Sequence, residues 1–100
     1  MVTREGIVAV YITASQKNGT LYTGVTSDLA RRAYEHRTGA ITGFSSKYRA
    51  KRLVWYRVHE SIVEAIADEK RIKKYRWNWK VNLIEAANPE WYDLYLGLNR

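Results

Sequence analysis

Two tyrosines, an arginine, a histidine and a glutamate are the side chains of this sequence whose types and spacing could do chemistry together. Tyr11 and Tyr22 stand on two short segments of alternating character, Arg32 and His36 are four residues apart, and Glu69 interrupts a later apolar pattern. A carboxylate can hold a divalent cation, a guanidinium can neutralise charge developing on phosphorus, and a phenol or imidazole can move protons, so the set suits phosphodiester cleavage. A lone carboxylate leaves most of a metal's coordination to water and phosphate, which suits Mg²⁺. The chain has no cysteine, and its only histidines are His36 and His59. A disulfide framework, a thiolate nucleophile and a structural zinc site are therefore excluded. No Ser-His-Asp or Cys-His arrangement offers itself, and Gly24 alone is too little for a phosphate-cradling loop.

The elements that must position these groups are legible in the pattern. Val8, Val10 and Ile12 alternate with Ala9, Tyr11 and Thr13, the period of a strand whose faces meet different surroundings. Asn18-Gly19 marks a turn, and Leu21 to Val25 forms a second strand whose Tyr22 would stand beside Tyr11 if the two pair antiparallel. A helix follows, with Ser27 as its cap, Asp28 in its first turn and Gly39 as its stop. On it Arg31 and Glu35 share one face and can pair, while Arg32 and His36 share another, about 100° round. Arg52 to His59 alternates again as a third strand, and His59 reads as a surface or capping residue. Ser61 and Glu64 make a capping box for the next helix. Winding that helix puts Ile62, Ala65, Ile66 and Ile72 in one stripe, with Glu64, Asp68 and Arg71 opposite. Glu69 falls inside the stripe, where a carboxylate needs a pair, a hydrogen bond or a metal; Lys73 is a ready partner, and a functional site is the favoured reading.

Seventeen Lys and Arg against ten Asp and Glu give a net charge of +7 in 100 residues, a balance that suits a partner carrying many phosphates. Two stretches concentrate it. Between residues 40 and 51, a loop by composition, Phe44, Lys47, Tyr48, Arg49 and Lys51 interleave aromatics with cations, either as a nucleic-acid surface or as a solvated loop pinned by its aromatics. Lys70, Arg71, Lys73, Lys74 and Arg76 are the densest positive run, part of which is explained by cations favouring a helix C-terminus. Trp77-Asn78-Trp79 breaks the pattern, with Asn78 as cap of a short helix from Trp79 to Ala87. Asn88-Pro89 ends it and is suited to begin another, along which Trp91, Leu94, Tyr95 and Leu98 recur at helical spacing and pack on the core. There is no apolar run of roughly 18 residues and no signal-peptide core, and the length fits a single domain over residues 1–100, so a cytoplasmic, membrane-free protein is the expectation.

Ala9-Val10-Tyr11 and Tyr22-Thr23-Gly24, followed by Arg32 in one helix and Glu69 in a later one, resemble the GIY-YIG nuclease superfamily, over about Val8 to Lys80. The string from Tyr22 to Arg32, with His36 and Gly39, is its specific part, and it is similar to the short stand-alone bacterial YhbQ-like branch. The resemblance implies an α+β fold, a small three-stranded antiparallel sheet flanked by helices, consistent with the elements above. It implies Tyr22 as general base or water-positioning group, Tyr11 as its support, and Arg32 at the scissile phosphate, the arginine that the helical-face argument also selects. It places His36 where relatives carry a Tyr or His near the reaction, and Glu69 as the metal ligand. Three departures stand out. The tripeptides read AVY and YTG. Val25 stands where excision-repair relatives have a lysine, a role Lys47 could fill, and the family's later asparagine aligns near Val81, one position from Asn82.

The reading that results is a Mg²⁺- or Mn²⁺-dependent endonuclease cutting DNA with low sequence specificity, in DNA repair or processing. Its candidate catalytic residues are Tyr11, Tyr22, Arg32, His36 and Glu69, with Glu69 on the metal and Lys47, Arg49, Lys51, Lys70, Lys73 and Lys74 against nucleic acid. The alternatives are a non-catalytic nucleic-acid-binding module, and an interaction domain docking a larger repair or RNA-processing assembly through Trp91 and its neighbours.

Overall fold

The computed structural model describes residues 6–40, 43 and 48–98. Three strands, β1 (Ala9–Ala14), β2 (Leu21–Thr26) and β3 (Arg52–Val58), form an antiparallel sheet in the order β2-β1-β3. Three α-helices accompany it among the described residues: α1 (Leu29–Thr38), α2 (Ile62–Lys73) and α3 (Trp77–Ala87), with a terminal 3₁₀ turn over Leu94–Gly97. This is the expected α+β architecture. No helix among the described residues is long and apolar enough to cross a membrane.

Central strand β1 is buried along its whole length, which is why both of its alternating sets are apolar or hydroxylic. On one face Val10, Ile12 and Ala14 pack with Trp55 against Ala65 and Ile72 of α2, Ile84 of α3, and Trp91. On the other Ala9, Tyr11 and Leu53 pack against Leu29 and Ala33 of α1, closed by Leu94, Tyr95 and Leu98. A bulge makes this division possible. Ile12 pairs with Trp55 but Thr13 pairs with Leu53, so Val54 is the extra residue, and it joins Trp55 on the first face while Leu53 serves the second.

Several local expectations are corrected. The cap of α1 is Asp28, whose carboxylate accepts from Arg31 N at 3.3 Å, and not Ser27; the two are adjacent and both chemically able to cap. Gly39 does end α1, in the left-handed region at φ 77°. Ser61 caps α2 as expected, accepting from Glu64 N at 3.2 Å. Its buried stripe, however, is Ala65, Asp68 and Ile72, while Ile62 and Ile66 are 39% and 38% exposed. The stripe is turned by one residue toward a carboxylate that composition placed outside. Helix α3 begins at Trp77 behind Arg76, with no side-chain cap from Asn78.

After α3 the chain does not begin another α-helix. Trp91 takes φ 58°, which stops helical winding, and its fully buried indole donates to Glu85 Oε2 at 2.8 Å. Asn88 holds this turn, donating from Nδ2 to Val54 O at 3.0 Å and to Tyr92 O at 2.9 Å while its Oδ1 accepts from Tyr92 N. Asp93 accepts from Leu53 N and Tyr95 N and pairs with Arg37 at 2.6 Å. The tail thus packs on the core, as its aromatic spacing implied, through a different backbone route.

Candidate active site

The site begins with a register. Tyr11 of β1 lies opposite Gly24 of β2, and Tyr22 lies opposite Thr13, so the two tyrosines are diagonal neighbours and not the direct pair expected. They still share a face, with ring centroids 6.3 Å apart. A Cβ on residue 24 would fall 2.5 Å from the Tyr11 hydroxyl, so the glycine lets the ring lie flat across β2. Gly24 is thereby part of the site, for a reason of space that no phosphate-loop pattern could signal.

Helix α1 brings His36 to the same place. Its ring lies 5.3 Å from each tyrosine ring, and its Nε2 is 2.8 Å from the Tyr11 hydroxyl. Burial, with the positive charge of Arg32 adding to it, pushes His36 down to about 4. Burial first, and Tyr22 second, push the Tyr11 hydroxyl well above the ordinary tyrosine value. Both groups are therefore neutral at pH 7, and a single hydrogen serves the bond between them, its direction following the imidazole tautomer.

Arg32 and Glu69 approach this aromatic cluster from opposite helices, and the charges of both act on the Tyr11 hydroxyl. Arg32 is not left without an anion, as the separate faces suggested. Glu35 lies 3.7 Å from its Nε and 3.6 Å from that of Arg31, because positions three and four apart are both neighbours on a helix. The trio keeps a net positive charge beside a polar depression of about 270 Å³ lined by Thr26, Ser27, Asp28, Arg31, Arg32 and Glu35. Glu69, with only 13% of its side chain exposed, pairs with Lys73 Nζ at 3.1 Å.

The structure thus gathers Tyr11, Tyr22 and His36 in mutual contact, with Arg32 and Glu69 within electrostatic reach. The candidate nucleic-acid residues are more scattered. Arg49, Lys51, Lys70 and Lys74 are exposed, Lys73 is engaged by Glu69, and Lys47, like Phe44, lies outside the described residues. His59 is not merely a surface residue: its Nε2 is 2.8 Å from Asp68 Oδ2, and that carboxylate, 2% exposed, also takes Arg57 at 3.1 Å and Arg71. Burial pushes the Asp68 carboxyl up, but the His59 hydrogen bond and the charges of Arg57 and Arg71 outweigh it and hold the group below its ordinary value. This clamp ties α2 to β3 one residue before Glu69. Its only signal in the sequence is that Asp68 stands three after Ala65 and four before Ile72.

Among the described residues no group of three or more His, Asp or Glu stands together as a metal cluster. Glu69 offers a hard carboxylate oxygen, and its charge reaches the Tyr11 phenol; oxygen donors of this kind fit Mg²⁺ or Mn²⁺ and do not fit a soft metal.

Residues 8–82, three quarters of the chain, match the GIY-YIG catalytic domain, and the chain belongs to that family of nucleases. Among solved structures it is similar to the UPF0213 protein BH0048 from Bacillus halodurans, determined by NMR in solution. That likeness has a TM-score of 0.53 and 28% identity, and covers 86% of this chain and 90% of the other. No protein of curated function matches the chain. The family's nucleases generally use a divalent metal, and nucleic acid is the substrate class the domain implies.

Proposed function

We propose that the chain is a metal-dependent endonuclease that hydrolyses phosphodiester bonds in DNA with little sequence specificity, in repair or processing. One observation carries this reading: Tyr11, Tyr22 and His36 are in mutual contact on one sheet face, with the charges of Arg32 and Glu69 acting on their centre.

The residues divide the work by their environments. Tyr11, held protonated by burial, serves as a hydrogen-bond donor and not as a base. Tyr22, half-buried at the start of edge strand β2, orients the attacking water and relays its proton, accepting it as the phenol's own hydrogen passes on to solvent. His36, neutral, holds Tyr11 and so fixes the phenol pair. Arg32 neutralises the charge that grows on the phosphoryl oxygens as water adds and the leaving oxygen departs. Glu69 is the residue that would hold a divalent ion, which when bound would supply Lewis-acid stabilisation of the developing charge. Lysines and arginines contact phosphates and not base edges, hence the low specificity.

The Glu69–Lys73 pair favours a second reading, a non-catalytic nucleic-acid-binding module in which Glu69 is only an ion-pair partner. Cleavage of labelled single-stranded, duplex, branched and RNA substrates by wild type and Glu69→Gln, with Mg²⁺, Mn²⁺ or EDTA, separates the two. Cutting lost in both the variant and EDTA, with binding retained, is the expected result. Salt-sensitive binding without cutting by wild type would give the second reading the place of the first.

A further inference from the structure

Trp77 is an indole without an evident structural reason for its exposure. It opens α3 with 49% of its surface free, while Trp55 and Trp91 are buried in the core. Its Nε1 donates to Gly19 O at 3.3 Å, which fixes the ring's edge against the turn between β1 and β2 while about half of the residue stays exposed. The indole walls a cleft of about 490 Å³, completed by Asn18, Gly19, Thr20, Leu21 and Lys80. No acid lines it. Burial, and then the charge of Lys73, push the Lys80 ammonium below the ordinary lysine value, a repulsion that an incoming anion would relieve.

The cleft adjoins the site along two paths. Leu21 immediately precedes Tyr22, and the two side chains pack with opposite faces of the sheet. Because β2 is an edge strand, the way from Tyr22 to the cleft crosses no further strand among the described residues. The second path is electrostatic, from Lys80 to Lys73 and from Lys73 to Glu69. Trp79, two positions on and 57% exposed, belongs elsewhere: it meets Tyr75 edge-on at 5.6 Å beside a different depression.

We propose that the Trp77 cleft receives an unpaired nucleobase of the substrate, stacked on the indole, with Lys80 taking the neighbouring phosphate. A rigid aromatic wall offers any base a stacking partner, and a cation at the end of the cleft follows the backbone. A base inside a duplex is already stacked on both faces and cannot enter. The site would therefore favour nucleic acid with an unpaired stretch beside the scissile bond. This inference rests on nucleic acid being the substrate, and it adds which form of it is held.

The test measures binding by the full chain carrying Glu69→Gln, with fluorescent single-stranded DNA, single-stranded RNA and blunt duplex of equal length. Adding Trp77→Ala should weaken binding of both single strands by about 5- to 150-fold, the range a stacked base is worth, and change duplex binding by less than about twofold. Trp77→Phe should restore most of the loss, which a folding defect would not allow, and Trp79→Ala should leave all three affinities within about twofold. An unchanged single-strand affinity in Trp77→Ala, or an equal loss on duplex, overturns the proposal. Cleavage by wild type is scored separately: binding that depends on Trp77 without cutting would retain the cleft and end the nuclease reading, and cutting with no dependence on Trp77 would do the reverse.

Discussion

The Tyr11 hydroxyl and His36 Nε2 meet at 2.8 Å in a place where neither group can carry charge at neutral pH. Stability should depend on pH accordingly. The unfolded chain takes up a proton at His36 below 6.5, whereas the folded chain does so only near 4. The contribution is complete above pH 6.5 and is lost as pH falls toward 4. A difference of about 2.5 pH units at about 1.4 kcal/mol each is on the order of 3 kcal/mol. Urea unfolding from pH 4 to 7.5 should show this slope in wild type and lack it in His36→Gln. The pH profile of cleavage should likewise carry no step near 6.5.

Gly24→Ala should damage the site more than the fold. The new methyl would sit 2.5 Å from the Tyr11 hydroxyl and 2.6 Å from its Cζ, so the ring must leave its place over β2. Overpacking of this kind costs about 1–3 kcal/mol, and cleavage should fall at least about tenfold because the phenol pair no longer meets His36. Unfolding midpoints and single-turnover rates measured on one preparation would expose an error here, since a variant as active as wild type means that Tyr11 does not need its present position.

Arg32→Ala should reduce the single-turnover rate about 100-fold and substrate affinity by less than about fivefold, because charge on phosphorus grows only in the transition state. The side chain is half-exposed and only loosely paired with Glu35, so the thermal midpoint should hardly move. Arg32→Lys should regain part of the rate, a lysine keeping the charge but losing the fork of donors.

Asp68→Ala should destabilise the chain by about 2–3 kcal/mol at pH 7, below the cost of stranding a fully buried charge because Arg57 and Arg71 are partly in water. The carboxyl is held below its ordinary value of 3.8, so its contribution is present above that pH and lost as pH falls through the lower folded value. Denaturant melts at pH 7 and pH 3 should find wild type and variant far apart at the first and closer at the second.

The parts of this molecule that were legible in its sequence are those set by local chemistry. Alternation marked the three strands, Ser61 and Gly39 marked helix ends, and the five candidate site residues stood out by type and spacing. What escaped depended on partners distant in the chain. Asp68 looks like a solvent residue until Arg57 and His59 arrive from β3, and Gly24 has no meaning until Tyr11 lies over it. The tyrosine register follows from the turn closed between Ser15 and Thr20, which sets Ala14 against Leu21. Trp91 stands at helical spacing in the sequence, yet its positive φ is chosen by the pocket that its indole fills.

The tail that Asn88 and Trp91 anchor has a consequence for any attempt to cut or transplant this domain. The family's span ends at residue 82, yet the indole that plugs the core beneath β1 and β3 comes nine positions later, and the carboxylate that accepts from Leu53 N comes after it. A fragment trimmed to residues 8–82 would keep Tyr11, Tyr22, Arg32, His36 and Glu69 and still lose the floor under the sheet that aligns them. The portable unit is longer than the segment bearing its signature, and a fusion partner belongs after the 3₁₀ turn at Leu94–Gly97.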